Sequence, residues 1–124
     1  MQTIETEQQA KYSAFVEWFA KPGHHIISEL FPEDAHRIHM AMGVAGEAGE
    51  LLDTIKKSSI YRKPYDLDNI IEECGDILFY VTGMLNSFGA TLEDAMRANI
   101  DKLSVRYSKG KYTDEQANKR ADKL

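Results

Sequence analysis

An all-α fold, a bundle of four main helices with a short extra C-terminal helix or tail, is predicted by three observations. Apolar residues recur at spacings of three and four along much of the 124-residue chain. Capping signals and Pro or Gly breaks punctuate that pattern at helix-length intervals. No Val/Ile/Thr-rich alternating run bounded by turns is present, so strands are not expected.

The first helix is expected over 4–20, where Tyr12, Phe15, Val16 and Phe19 line one face. "KPGHH" at 21–25 breaks it. The second starts after Pro32, with Glu33 and Asp34 at its positive end, and runs to about Lys57, with Lys56 and Lys57 at its negative end. Pro64 makes "SSIYRKPY" at 58–65 a loop. Asp66 or Asp68 caps a third helix to about Phe88, which Gly89 ends. Thr91 with Asp94 opens a fourth over 92–108, and Thr113 with Gln116 opens a short last helix or tail. With no repeat and no low-complexity linker, one domain spanning 1–124 is expected.

Composition narrows the function classes. The net charge of −5 gives no reason to expect binding along a nucleic-acid polymer, which requires clustered positive charge. Cys74 is the only cysteine, so no intrachain disulfide forms, and a reducing cytoplasm is the simplest setting. The opening "MQTIETEQQA" is polar and acidic, unlike a secretory leader. The longest nearly apolar run, "ILFYVTGML" at 77–85, is too short to cross a bilayer.

Chemistry concentrates in the acids. Glu47 and Glu50 are three apart on the second helix, and Glu73 and Asp76 repeat that spacing on the third. Antiparallel packing brings the two pairs together. Four carboxylates in one cluster repel one another, and a hard divalent cation such as Mg²⁺ or Mn²⁺ relieves the repulsion. Acid pairs at this spacing are common on solvated helix faces, but these have unusual surroundings. "AMGVAGEAG" at 41–49 is Ala or Gly at six of nine positions, and Gly75 sits between Glu73 and Asp76 among isoleucines. Small residues let helices approach closely, so Gly46 and Gly49 are expected at helix contacts. Asp53 is better explained as a surface ion pair with Lys57 than as a ligand. Trp18 and Phe31 are expected mainly in the core.

The pattern "EAGE", a spacer of 22 residues, then "ECGD" resembles the MazG-like all-α nucleoside triphosphate pyrophosphohydrolases. The flanking "GEAGEL", the trailing "KK", "EECGDILFY" and "NIDKLSVRY" extend the resemblance over about 36–107. It implies a MazG-type domain that hydrolyses a standard or modified (d)NTP between the α and β phosphates by a metal-activated water, giving (d)NMP and pyrophosphate. It also implies that Glu47, Glu50, Glu73 and Asp76 are at once the metal ligands and the catalytic residues, with Mg²⁺ or Mn²⁺ as cofactor. One of the two glutamates of the second helix would double as general base.

Asn99, Lys102 and Arg106 fall on one helix face and suit phosphate oxygens; the resemblance favours that role over a plain surface helix. Lys56 and Tyr80 are further substrate candidates. The chain departs from a common family ending at Ser108, where Pro often follows the Arg-Tyr pair. Family members commonly form dimers or dimers of dimers, so a homodimer or homotetramer is expected. The alternatives are a hydrolase preferring (d)NDP or a modified nucleotide, and a non-catalytic nucleotide-binding bundle. A ferritin-like carboxylate bundle needs two E-x-x-H units, and only Glu33 to His36 supplies one.

Overall fold

The computed structural model describes residues 6–123, and no strand occurs among them. The elements are α1 (Glu7–Phe19), α2 (Gly23–Glu29), α3 (Pro32–Ser59), α4 (Leu67–Asn86), α5 (Leu92–Arg106), α6 (Asp114–Lys119) and a 3₁₀ turn at Ala121–Lys123. The all-α expectation holds. Residues 4 and 5 of the first expected helix, and the extremes of the expected 1–124 domain, lie outside the described residues. The chain divides into two compact units, one up to Pro32 and one from Glu33.

In the first unit, Thr6 accepts from the Gln9 amide while the Gln9 side chain accepts from the Thr6 amide, a reciprocal cap that starts α1. The expected stripe is present, with Phe15 and Phe19 rings 4.5 Å apart and Tyr12 stacked 6.3 Å from Phe15. Helix α2 corrects the expectation of a plain break at 21–25. Pro22 stands at the N-cap with extended backbone and Gly23 is the first helical residue. Both are tolerated in a helix's opening positions, where amide hydrogens have no helical partner anyway. Trp18 (85% exposed) and Phe31 (70% exposed) are not core residues.

The second unit is built on the antiparallel pair α3 and α4. Pro32 begins α3, as the missing proline amide allows. Asp66 accepts from the Asn69 amide to start α4. At the far end the Gly89 amide donates to the Asn86 carbonyl and the Ala90 amide to the Leu85 carbonyl, with Gly89 at φ 69°. That left-handed turn suits glycine and closes the helix. The Thr91–Asp94 box opens α5, and Thr113 accepts from the Gln116 amide to open α6.

Contacts along the α3–α4 seam fix its register. Arg37 donates to the Ser87 hydroxyl (3.1 Å) and carbonyl (2.8 Å), and its guanidinium lies 3.7 Å from the Phe88 ring centre. Met40 meets Gly83, and the Tyr80 ring lies against Gly43. Asn69 donates to the Thr54 hydroxyl at 2.8 Å, and Ser58 donates to the Pro64 carbonyl at 3.1 Å. Met40, Thr54 and Ser58 on this seam are the buried residues of α3.

The tight glycines are therefore Gly43 and Gly83, not Gly46 and Gly49. A Cβ at Gly46, Gly49 or Gly75 meets nothing within 4 Å. Helix phase explains the correction. Residues 36, 40, 43, 47, 54 and 58 follow the three-and-four spacing of one face, and 46 and 49 do not. Gly43→Ala is expected to destabilise the protein by about 1–3 kcal/mol, since the Tyr80 ring must move. Gly46→Ala should instead stabilise by up to about 1 kcal/mol through helix propensity. Denaturant midpoints of the two variants check this, and equal shifts would contradict the seam.

Candidate metal centre and its surroundings

The seam that fixes the register also gathers the acids. Glu47 of α3 and Glu73 and Asp76 of α4 each present a carboxylate oxygen within 4.8 Å of the others, and all three are half-buried. Partial burial raises the Glu73 carboxyl above its ordinary value, reinforced by a hydrogen bond with Glu47 and by repulsion from Glu47, Glu50 and Asp76. Three converging carboxylates, with Glu73 held against ionisation by its neighbours, fit a divalent cation, and an all-oxygen donor set suits a hard one.

Glu50 stands apart from this trio. It is exposed, yet close enough for its charge to act on Glu73. Glu72, next to Glu73 in sequence, is exposed and outside the trio.

The other expected site residues divide. Tyr80 lies one helical turn beyond Asp76, its ring against Gly43 and edge-on to His39, with centroids 6.1 Å apart. That places it beside the acids along the seam. His36 Nε2 lies 3.3 Å from the Gly83 carbonyl, farther up the same face. Lys56 sits 3.7 Å from Asp53, which also pairs with Lys57 at 3.2 Å. Lys57, with the larger effect, and Lys56 both hold the Asp53 carboxyl below its usual value. Lys102 is exposed, and no ion pair forms on it among the described residues. Asn99 is also exposed and borders a cavity of about 310 Å³ between α5 and the Tyr107–Tyr112 turn.

Arg106 is engaged from within the chain. Its guanidinium donates twice to Asp122, at 2.7 and 3.2 Å, and the Asp122 side chain is 5% exposed. Arg120 at φ 50° turns the chain left-handed after α6, and the 3₁₀ turn returns Asp122 to α5. Sequence spacing gave no sign of this pair, because its partners are 16 residues apart across two breaks. The Arg106 hydrogen bonds hold the Asp122 carboxyl below its ordinary value. A carboxyl depressed in the folded state contributes stability above its unfolded pKa, and that stability is lost as pH falls through the folded value. Asp122→Asn should thus lower Tm at pH 7, and the difference from the parent should shrink below about pH 4. Thermal melts across that range check it.

Residues on the seam that sequence reasoning passed over are Thr54, Asn69 and Lys63, which share a second cavity with Lys57. Thr54 lies seven residues beyond Glu47 and on its face, a spacing that offered the only signal.

No helix of the described residues is long and apolar enough to cross a membrane. The family model of the MazG nucleotide pyrophosphohydrolase domain matches residues 36–110. The Gene 37 protein of Mycobacterium phage L5 is 31% identical over 78 residues, which cover 58% of this chain and 67% of that protein. No solved structure matches. With three of its four motif acids converging on one seam and the family match running the length of that seam, this chain belongs to the MazG nucleotide pyrophosphohydrolase domain family.

Proposed function

We propose that the chain is a divalent-metal-dependent hydrolase that cleaves a nucleoside triphosphate between its α and β phosphates, releasing the monophosphate and pyrophosphate. The observation that carries this reading is the convergence of the Glu47, Glu73 and Asp76 oxygens on the α3–α4 seam. These three residues would hold Mg²⁺ or Mn²⁺, which when bound supplies charge neutralisation for the phosphates and lowers the pKa of water. Glu50, exposed beside Glu73, is the group we assign as general base. The water oxygen bonds to phosphorus, the bridging P–O bond breaks, and Glu50 takes the water proton before passing it to solvent. Lys102 is the cation of α5 we assign to the phosphates. Arg106 reaches them only by sharing or leaving Asp122.

A homodimer or homotetramer belongs to this reading. It is supported by large apolar side chains left exposed on three helices, among them Met42 (67%), Phe79 (67%) and Ile100 (63%). The open space at Gly46, Gly49 and Gly75 also leaves room for a second copy. Light scattering at micromolar concentration should return an even multiple of the chain mass.

The catalytic reading is tested by incubating the protein with ribo- and deoxyribonucleoside tri- and diphosphates and Mg²⁺ or Mn²⁺, and measuring pyrophosphate. Release from at least one triphosphate is expected. Monophosphate from diphosphates alone would move the reading to a diphosphate hydrolase, and no product from any nucleotide would sink it.

A further inference from the structure

The α3–α4 seam does not end at the acids. Beyond them, where α3 runs out and α4 begins, lies a cavity of about 350 Å³ bordered by Thr54, Lys57, Ser58, Lys63, Asp66 and Asn69. Its volume is within the range of small-ligand sites. The neutral groups in its wall are already paired with each other or with backbone: Asn69 with Thr54, and Ser58 with the Pro64 carbonyl. Thr54 and Ser58 are both buried, so the wall is fixed. What remains for a ligand is positive charge. The connection turns back at Arg62, and the Lys63 amide donates to the Lys57 carbonyl at 3.3 Å, which sets the two lysines side by side.

Two cations stand here against one carboxylate. Lys57 is shared with Asp53, outside the cavity, while among the described residues no carboxylate pairs with Lys63. Asp66 already accepts from the Asn69 amide. The cavity also lies close to the metal centre. Asn69 is four residues from Glu73 on α4, which is about 6 Å along the helix axis, and long lysine stems shorten the gap further.

Taking the proposed pyrophosphohydrolase reaction as given, we infer that this cavity receives the terminal phosphate of a triphosphate substrate, and that Lys63 sets the preference for triphosphate over diphosphate. A triphosphate whose inner phosphates meet the acid trio extends its terminal phosphate along the seam toward the Lys57–Lys63 pair. A diphosphate falls short of it.

The test is Lys63→Met, which removes the charge and keeps most of the stem. Calorimetry with inorganic tripolyphosphate in the presence of Mg²⁺ should show binding to the parent and about tenfold weaker binding to the variant, the size of one charge-assisted hydrogen bond. In steady-state kinetics KM for the triphosphate should rise about tenfold with kcat held within about twofold. KM for the matching diphosphate should not change. Unchanged tripolyphosphate affinity, absence of tripolyphosphate binding to the parent, or equal KM shifts for tri- and diphosphate would each overturn the inference. A parent protein that hydrolyses no nucleotide would defeat the catalytic reading instead, and the calorimetry would still decide the cavity.

Discussion

Glu73→Gln is expected to reduce pyrophosphate release at least about a hundredfold while making the metal-free protein harder to melt. The two effects share one cause. Glu73 stands where partial burial, a hydrogen bond to Glu47 and three neighbouring acids all oppose its ionisation. An amide of the same shape removes that repulsion, so the metal-free fold gains. The same change takes one oxygen anion from a set of three, and even residues that merely support metal ligands cost about 10–100-fold in affinity or activity when lost. Metal should stabilise the parent by about 2.7 kcal/mol when its concentration is a hundred times Kd, and the variant should gain much less. Thermal melts with and without Mn²⁺, together with a pyrophosphate assay, measure both arms. A variant that keeps the full Mn²⁺ stabilisation would show that the trio is not the metal site.

Glu50→Gln should behave differently. Because Glu50 lies outside the oxygen trio and is exposed, its replacement should leave most of the Mn²⁺-induced rise in Tm in place. The rate should still fall, by about 10²–10⁴-fold, the usual contribution of a positioned general base. The loss should appear in kcat far more than in KM, because the proton is removed only in the transition state. If Glu50→Gln loses activity and metal stabilisation together, Glu50 is a ligand, and the base must be sought elsewhere. On the proposed function, the four motif acids are expected to divide into three that hold metal and one that takes the proton.

Much of the arrangement around these acids is legible in the sequence alone. The helix boundaries around the site were legible because local chemistry sets them: Pro32 at a first turn, Asp66 and Thr91 as caps, Gly89 in a left-handed turn. The pairing of Glu47 with Glu73 and Asp76 was legible because a spacing of three keeps acids on one face whatever the tertiary detail. The contact glycines are not legible in this way, because nearness to Glu47 in sequence does not put Gly46 and Gly49 on the packed face. The face that carries Glu47 also carries Gly43, one turn back, and it is Gly43 that meets Tyr80. Helix α2 was hidden by reading Pro22 and Gly23 as a stop when they stand at a start. The Arg106–Asp122 pair depends on a chain reversal at Arg120, a backbone conformation that an arginine does not announce.

The seam between α3 and α4 also bears on how quickly this protein becomes competent. Every acid assigned to the metal centre, the tyrosine beside it and the lysines beyond it belong to one helical hairpin joined by residues 60–66. Its contacts start close in the chain, at Ser58–Pro64 and Thr54–Asn69, and widen to Arg37–Ser87, 50 residues apart, so each inner contact shortens the loop that the next one has to close. Lying earlier in the chain, α3 and α4 leave the ribosome ahead of α5 and can close on each other first. The acid trio then forms early, and on the proposed function a cation captured there would hold the hairpin shut while the rest of the chain arrives.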